Sequence, residues 1–158
     1  MRIPGFQGLA LQGLVLASVL LAGCSTSQQV QLSKRSYHPP VTSVAQSPQD
    51  GNSPEMTAHL VDALRDAGLT VKAPLSPGTR TAPDVDAIVS YVDVWRWDVK
   101  MYMKSLSVQL FDAKTGDLLV TGQWQDSSMH GFRDAREAMR GVVAEMVETL
   151  RGAGATRH

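Results

Sequence analysis

The chain has 158 residues, with 15 basic against 15 acidic side chains, a formal net charge of zero and one cysteine. That balance, with no basic cluster, leaves no electrostatic footprint for nucleic acid, and a lone thiol excludes an intramolecular disulfide. The length suits one domain with a substantial core and is too short for two comfortable ones.

Met1 and Arg2 form a short positive segment, Leu9 to Leu21 a mainly apolar one, and Ala22-Gly23 supply small residues ahead of Cys24. This is the layout of an export signal. A membrane-spanning helix needs roughly 20 predominantly apolar residues, and here Gln12 and Gly13 interrupt a shorter run. Leu21-Ala22-Gly23-Cys24 resembles a bacterial lipobox. The resemblance implies that residues 1–23 are removed as a signal peptide, that the Cys24 thiol carries a diacylglycerol, and that the new amino terminus is acylated. An ordinary signal would instead leave Cys24 as a free thiol in an oxidising compartment. Ser25, where aspartate resembles an inner-membrane retention signal, implies delivery to the outer membrane, facing the periplasm or the outside. Each buried methylene contributes about 0.8 kcal/mol, and two or more chains anchor stably, so the expected anchor needs no second membrane element.

Residues 24–29 read as a lipidated tether, 30–152 as a single domain and 153–158 as a flexible tail. Alternation at Val30 and Leu32 predicts a first strand between Gln29 and Tyr37, and Ser47 to Asn52 is turn material. Ser53 as N-cap, Pro54 at the first helical position and Glu55 in the first turn open a helix. Met56, Leu60, Ala63, Leu64 and Ala67 share one of its faces, and Gly68 ends it. Leu69 to Val71 predicts a short strand, followed by a proline-rich surface loop.

From Asp86 onward the pattern has period two. Ala87, Val89, Tyr91, Asp93, Trp95 and Trp97 share one face, and Ile88, Ser90, Val92, Val94 and Arg96 the other. Apolar residues on both sides predict a central strand. Tyr102 to Phe111, a turn at Asp112 to Asp117 with Gly116 at positive φ, and Leu118 to Trp124 complete an antiparallel meander. A helix from about Arg133 to Leu150, capped by Asp134 and stopped by Gly152 and Gly154, closes the chain. These elements predict an α+β two-layer sandwich: a mixed or antiparallel sheet of four to five strands with two helices on one face.

No phosphate loop, Gly-x-Ser-x-Gly nucleophile or zinc spacing is present, so no catalytic residue, metal site or cofactor is assigned and an enzyme is the least supported class. Asp93 is expected to pair with Arg96, Lys100 or Lys104. Met101, Met103, Met129 and His130 are donor types that suit cuprous ion, with core filling the default for methionine. Trp95, Trp97 and Trp124 are core aromatics or an exposed ligand platform. Ile88, Val92 and Val94 form a second apolar side on the central strand, a candidate partner surface.

With the lipobox, this arrangement looks like the small periplasmic α/β domains of TolB amino-terminal and CsgG type. Tyr91 to Asp98, Asp112 to Gly116 and His130-Gly131-Phe132 also resemble uncharacterised proteobacterial lipoproteins. The resemblance implies an architecture and no catalytic residues. The expectation is a lipid-anchored periplasmic interaction or accessory module of the cell envelope, docking on an envelope protein or on copies of itself. The alternative is a lipoprotein that binds a small ligand or cuprous ion.

Overall fold

The computed structural model describes residues 26–35, 37–127 and 133–155. The lipobox residues Leu21, Ala22, Gly23 and Cys24, along with Met129 and His130, lie outside them. The elements in order are β1 (Ser27–Leu32), β2 (Ser43–Gln46), α1 (Pro54–Asp66), β3 (Thr70–Val71), β4 (Ala87–Trp97), β5 (Met101–Asp112), β6 (Leu118–Gln125) and α2 (Ala135–Ala155).

The strands form one mixed sheet of order β1-β6-β5-β4-β2-β3. β4 is central, antiparallel to β5 and parallel to β2, which is also parallel to β3. The expected α+β architecture holds, but the sheet has six strands rather than four to five. The strand missed is β2, whose Val44, Ala45 and Gln46 are buried on both faces and show no alternation over so short a run. Asp86 fastens it to the start of β4. The Asp86 carboxylate accepts hydrogen bonds from the Thr42 and Ser43 backbone amides at 3.0 and 2.9 Å, and from their hydroxyls at 2.7 and 3.0 Å. These donors favour the ionised form and lower its pKa to about 2.

Both helices pack on the same face. Met56, Leu60 and Leu64 of α1 join Met139, Val142, Val143 and Met146 of α2 in one cluster with Val89, Tyr91, Leu106, Val108 and Trp124 of the sheet. Of the face grouped on β4, Ala87, Val89, Tyr91 and Trp95 pack into this cluster, while Trp97 is exposed. Arg136 to Asp62 at 3.1 Å and Arg140 to Asp66 at 3.0 Å link the exposed edges of the two helices. The Arg151 guanidinium donates to the Ala67 carbonyl at 2.8 Å, so it caps α1 rather than its own helix. Gly68 ends α1 at φ 83°.

Several local expectations are corrected. Ser53 occupies the N-cap position of α1, but its hydroxyl makes no cap bond; its carbonyl instead accepts from the Tyr91 hydroxyl at 3.1 Å. β1 begins at Ser27, which shortens the tether expected over 24–29. α2 continues through Gly152 and Gly154 to Ala155, into the expected tail. Asp134 does cap α2, accepting from the Arg136 amide at 2.7 Å.

Candidate functional site

The face of the sheet away from the helices has two parts. Near the start of β4, Ile88 and Phe111 are buried with Ala45, Val85 and Ala113 beneath Leu75 and Ala82 of the loop that precedes β4. The Arg80 guanidinium lies 4.2 Å from the centre of the Phe111 ring. Ile88 is therefore a residue of a second small core and is removed from the expected partner surface. Val92 and Val94, further along β4, are exposed.

The register defines what surrounds them. Three rows cross β4, β5, β6 and β1 on this face: Ser90, Gln109, Thr121 and Gln31, of which Ser90 is buried; Val92, Ser107, Gln123 and Gln29; Val94, Ser105, Gln125 and Ser27. None of these twelve positions is charged. Ser27, Gln29, Ser105, Ser107, Gln123 and Gln125 line a shallow depression of about 360 Å³ in the middle. The surface is made of amides, hydroxyls and two valines, while the Arg136–Asp62 and Arg140–Asp66 ion pairs lie on the helix side.

A bulge rearranges the far end of the hairpin formed by β4 and β5. Val94 lies opposite Ser105 but Trp95 lies opposite Met103, so β5 carries one extra residue at Lys104. The shift turns Met103 into the helix-side core, where it is buried, and leaves Lys104 out of it. Trp95 packs against the same core, and its indole N–H donates to the Asp93 carboxylate at 2.5 Å. Asp93 is thus partnered by an indole, a partner outside the three basic residues expected for it. Burial of the Tyr91 phenol raises its pKa, and the neighbouring Asp93 charge adds to the rise. Trp124 is a core residue.

Beyond the bulge the hairpin leaves the core behind. Trp97 is 73 % exposed, Val99 84 % and Met101 56 %. The three tryptophans therefore divide between core and surface, and Trp97 is the one available to a partner. Met101 and Met103 line a groove of about 310 Å³ that also holds His59 and Glu55, with His59 Nε2 at 3.8 Å from the Glu55 carboxylate. Among the described residues no group of three His, Cys, Asp or Glu side chains is placed to hold a metal.

Sequence reasoning missed an apolar cavity of about 390 Å³ between the Tyr37–Thr42 segment, Leu69, Leu110 and the end of α2 at Val147, Leu150 and Arg151. Its lining comes from four separated stretches, so no local pattern announces it. Among the described residues no helix is long and apolar enough to cross a membrane.

No protein-family model matches the chain, and no curated protein does. Among solved structures it is similar to PelC from Paraburkholderia phytofirmans, described as a dodecamer, at a TM-score of 0.50 and 12 % identity, covering 78 % of this chain and 96 % of that one. The dodecamer of a leucine-to-methionine variant of the same protein gives the same score and identity, covering 80 % of this chain and 97 % of that one. At this identity the similarity is one of fold, spanning nearly the whole of the PelC chain.

Proposed function

We propose that the protein is a lipid-anchored, non-catalytic interaction module of the bacterial cell envelope, facing the periplasm at the outer membrane, which assembles with copies of itself through the open sheet face. On this reading the domain is of the TolB amino-terminal and CsgG type. The observation that carries the reading is the charge-free surface four strands wide. Interface centres are depleted in charged residues relative to the rest of a protein surface. Serine and glutamine side chains are each donor and acceptor, so an uncharged amide and hydroxyl face can satisfy a second copy of itself without like-charge repulsion. A face bearing one sign of charge cannot. The edge strand β1 extends the same chemistry, since Ser27–Leu32 contains no charge or proline to block strand pairing. That the similar PelC structures are described as dodecamers supports self-association as a use of this fold.

The test is sedimentation velocity on the domain carrying Cys24→Ser in place of the lipidated cysteine. The wild-type surface is expected to give concentration-dependent oligomers, and Val92→Lys or Gln123→Lys to give monomers. Glu148→Lys, a charge change on the exposed side of α2, is expected to leave the oligomers intact. A wild-type monomer at all concentrations, unaltered by the substitutions, contradicts the reading.

A second reading, a carrier of cuprous ion, is favoured by the groove that gathers His59, Met101 and Met103. Titration with cuprous ion under reducing conditions decides it. A raised melting temperature that Met101→Leu abolishes supports it, and a flat response removes it.

A further inference from the structure

The exposed apolar tip of the β4–β5 hairpin stands at the end of the sheet at which β1 begins. Ser27, the first residue of β1, lies in one row with Gln125 of β6, Ser105 of β5 and Val94 of β4. From that row β1 runs away from the tip, so β1 begins on the tip side of the sheet. Cys24 is three residues upstream, so a fully extended backbone carries it at most about 10 Å beyond the row. The hairpin runs from Ser105 on to Met101 in the same direction, about 10–14 Å even with the bulge at Lys104. β1 and β5 are separated only by β6, about 10 Å laterally.

We propose that the hairpin tip, Trp97 to Met101, is a second membrane contact, lodged in the headgroup zone of the bilayer that holds the lipid on Cys24. The inference rests on the lipoprotein reading, because the short covalent distance is what brings the bilayer to this end of the domain. With the sheet upright, the tip extends at least as far as the anchor, so it meets the membrane surface unless the domain lies over. Its composition suits that depth. A tryptophan ring is at home among headgroups, while Val99 and Met101 offer apolar surface exposed to water for no packing purpose within the described residues. Asp98 and Lys100 limit the contact to the interface, since charged groups are costly in the hydrocarbon centre. The tight turn, in which the Asp98 amide donates to the Lys100 carbonyl at 3.2 Å, holds the apolar residues forward.

The experiment uses the full mature lipoprotein, purified from membranes and reconstituted into phosphatidylethanolamine and phosphatidylglycerol vesicles whose acyl chains are brominated near the headgroup. Intact mass first reports the acyl groups. The expected result is quenching of tryptophan emission that disappears in Trp97→Phe and is reduced in Val99→Asp, with both variants still acylated and vesicle-bound. Acylated, vesicle-bound protein that shows no quenching, or the same quenching after Trp97→Phe, overturns the hairpin contact and leaves the anchor standing. A mature chain without acyl mass overturns both.

Discussion

Among the described glycines, Gly122 leaves the least room for a side chain. It lies on β6 beneath α2, and a methyl group placed there would meet Val142 Cγ1 at 2.5 Å and Met146 Sδ and Cγ at 2.6 and 2.9 Å. Ordinary carbon contacts lie at about 3.5–4.0 Å, so Gly122→Ala requires a movement of about 1 Å. Met146 can swing away because its side chain has several rotatable bonds, but Val142 has a stiff χ1 in a helix. α2 must therefore shift. Overpacking of this kind costs about 1–3 kcal/mol, offset by about 0.4–1 kcal/mol because alanine loses less chain entropy than glycine on folding. At the middle of both ranges the net expectation is a loss of about 1–2 kcal/mol, a melting temperature lower by about 3–8 °C for a domain of this size. Thermal and urea unfolding of the Cys24→Ser domain measure it. The mechanism also predicts coupling: Gly122→Ala should cost less, or become favourable, in a Val142→Ala background, because removing Cγ1 frees the space the new methyl needs. A neutral or stabilising Gly122→Ala in the wild-type background, or strictly additive double-variant effects, would show that α2 does not press on β6 as described.

Two further outcomes follow from the polar contacts at the start of β4 and under α1. Asp86→Ala removes four hydrogen bonds to one carboxylate oxygen and is expected to cost about 1–3 kcal/mol, toward the low end because solvent reaches the site. Since the folded pKa of about 2 lies below the ordinary 3.8, this stability is present above about pH 4 and is lost as the pH falls toward 2. Acid titration of urea midpoints should show a flatter profile in the alanine variant, and parallel profiles would contradict the assignment. Tyr91 has the opposite sign. Burial raises its pKa above 10.0, so its contribution is complete below pH 10 and declines as the pH rises beyond it, when the unfolded phenol ionises first. Tyr91→Phe gives up the hydroxyl's bonds to Ser53 and Thr57 and should weaken the alkaline decline, read by melting at pH 8 to 11.

The helices and the central meander were legible in the sequence because their signals are local. Pro54 and Gly68 bracket α1, and the alternation from Ala87 onward divides the two faces of β4 correctly. What escaped depends on pairing. β2 is read as structure only once β3 and β4 flank it, and the extra residue at Lys104 is visible only against Val94 and Trp95. Simple alternation from Leu106 would have placed Lys104, not Met103, in the core. Ile88 looked like exposed apolar surface because nothing in its own strand shows that the loop carrying Leu75 and Ala82 folds over it.

The charge-free face shows the same division between local and assembled information. Ser27, Gln29 and Gln31 alternate with other residues, as do Ser105, Ser107 and Gln109, and Thr121, Gln123 and Gln125. Each triplet alone reads as the polar side of an ordinary half-buried strand. Their significance comes from the register, which stacks three uncharged triplets beside Val92 and Val94. The exposure of Trp97 was equally open in the sequence. Its alternation matches that of the core residues Tyr91 and Trp95, and only the length of the hairpin beyond the helix layer puts it in solvent.

Native mass spectrometry of the protein extracted from cell envelopes in mild detergent tests the proposed anchored, self-assembling module most directly, since one spectrum reports both any lipid on each copy and the number of copies held together. The account predicts an oligomer whose every chain begins at Cys24 and bears the mass of a diacylglycerol with an N-acyl chain, and which dissociates in the Val92→Lys variant. A monomer at every concentration, or chains that begin elsewhere and carry no acyl mass, would contradict it.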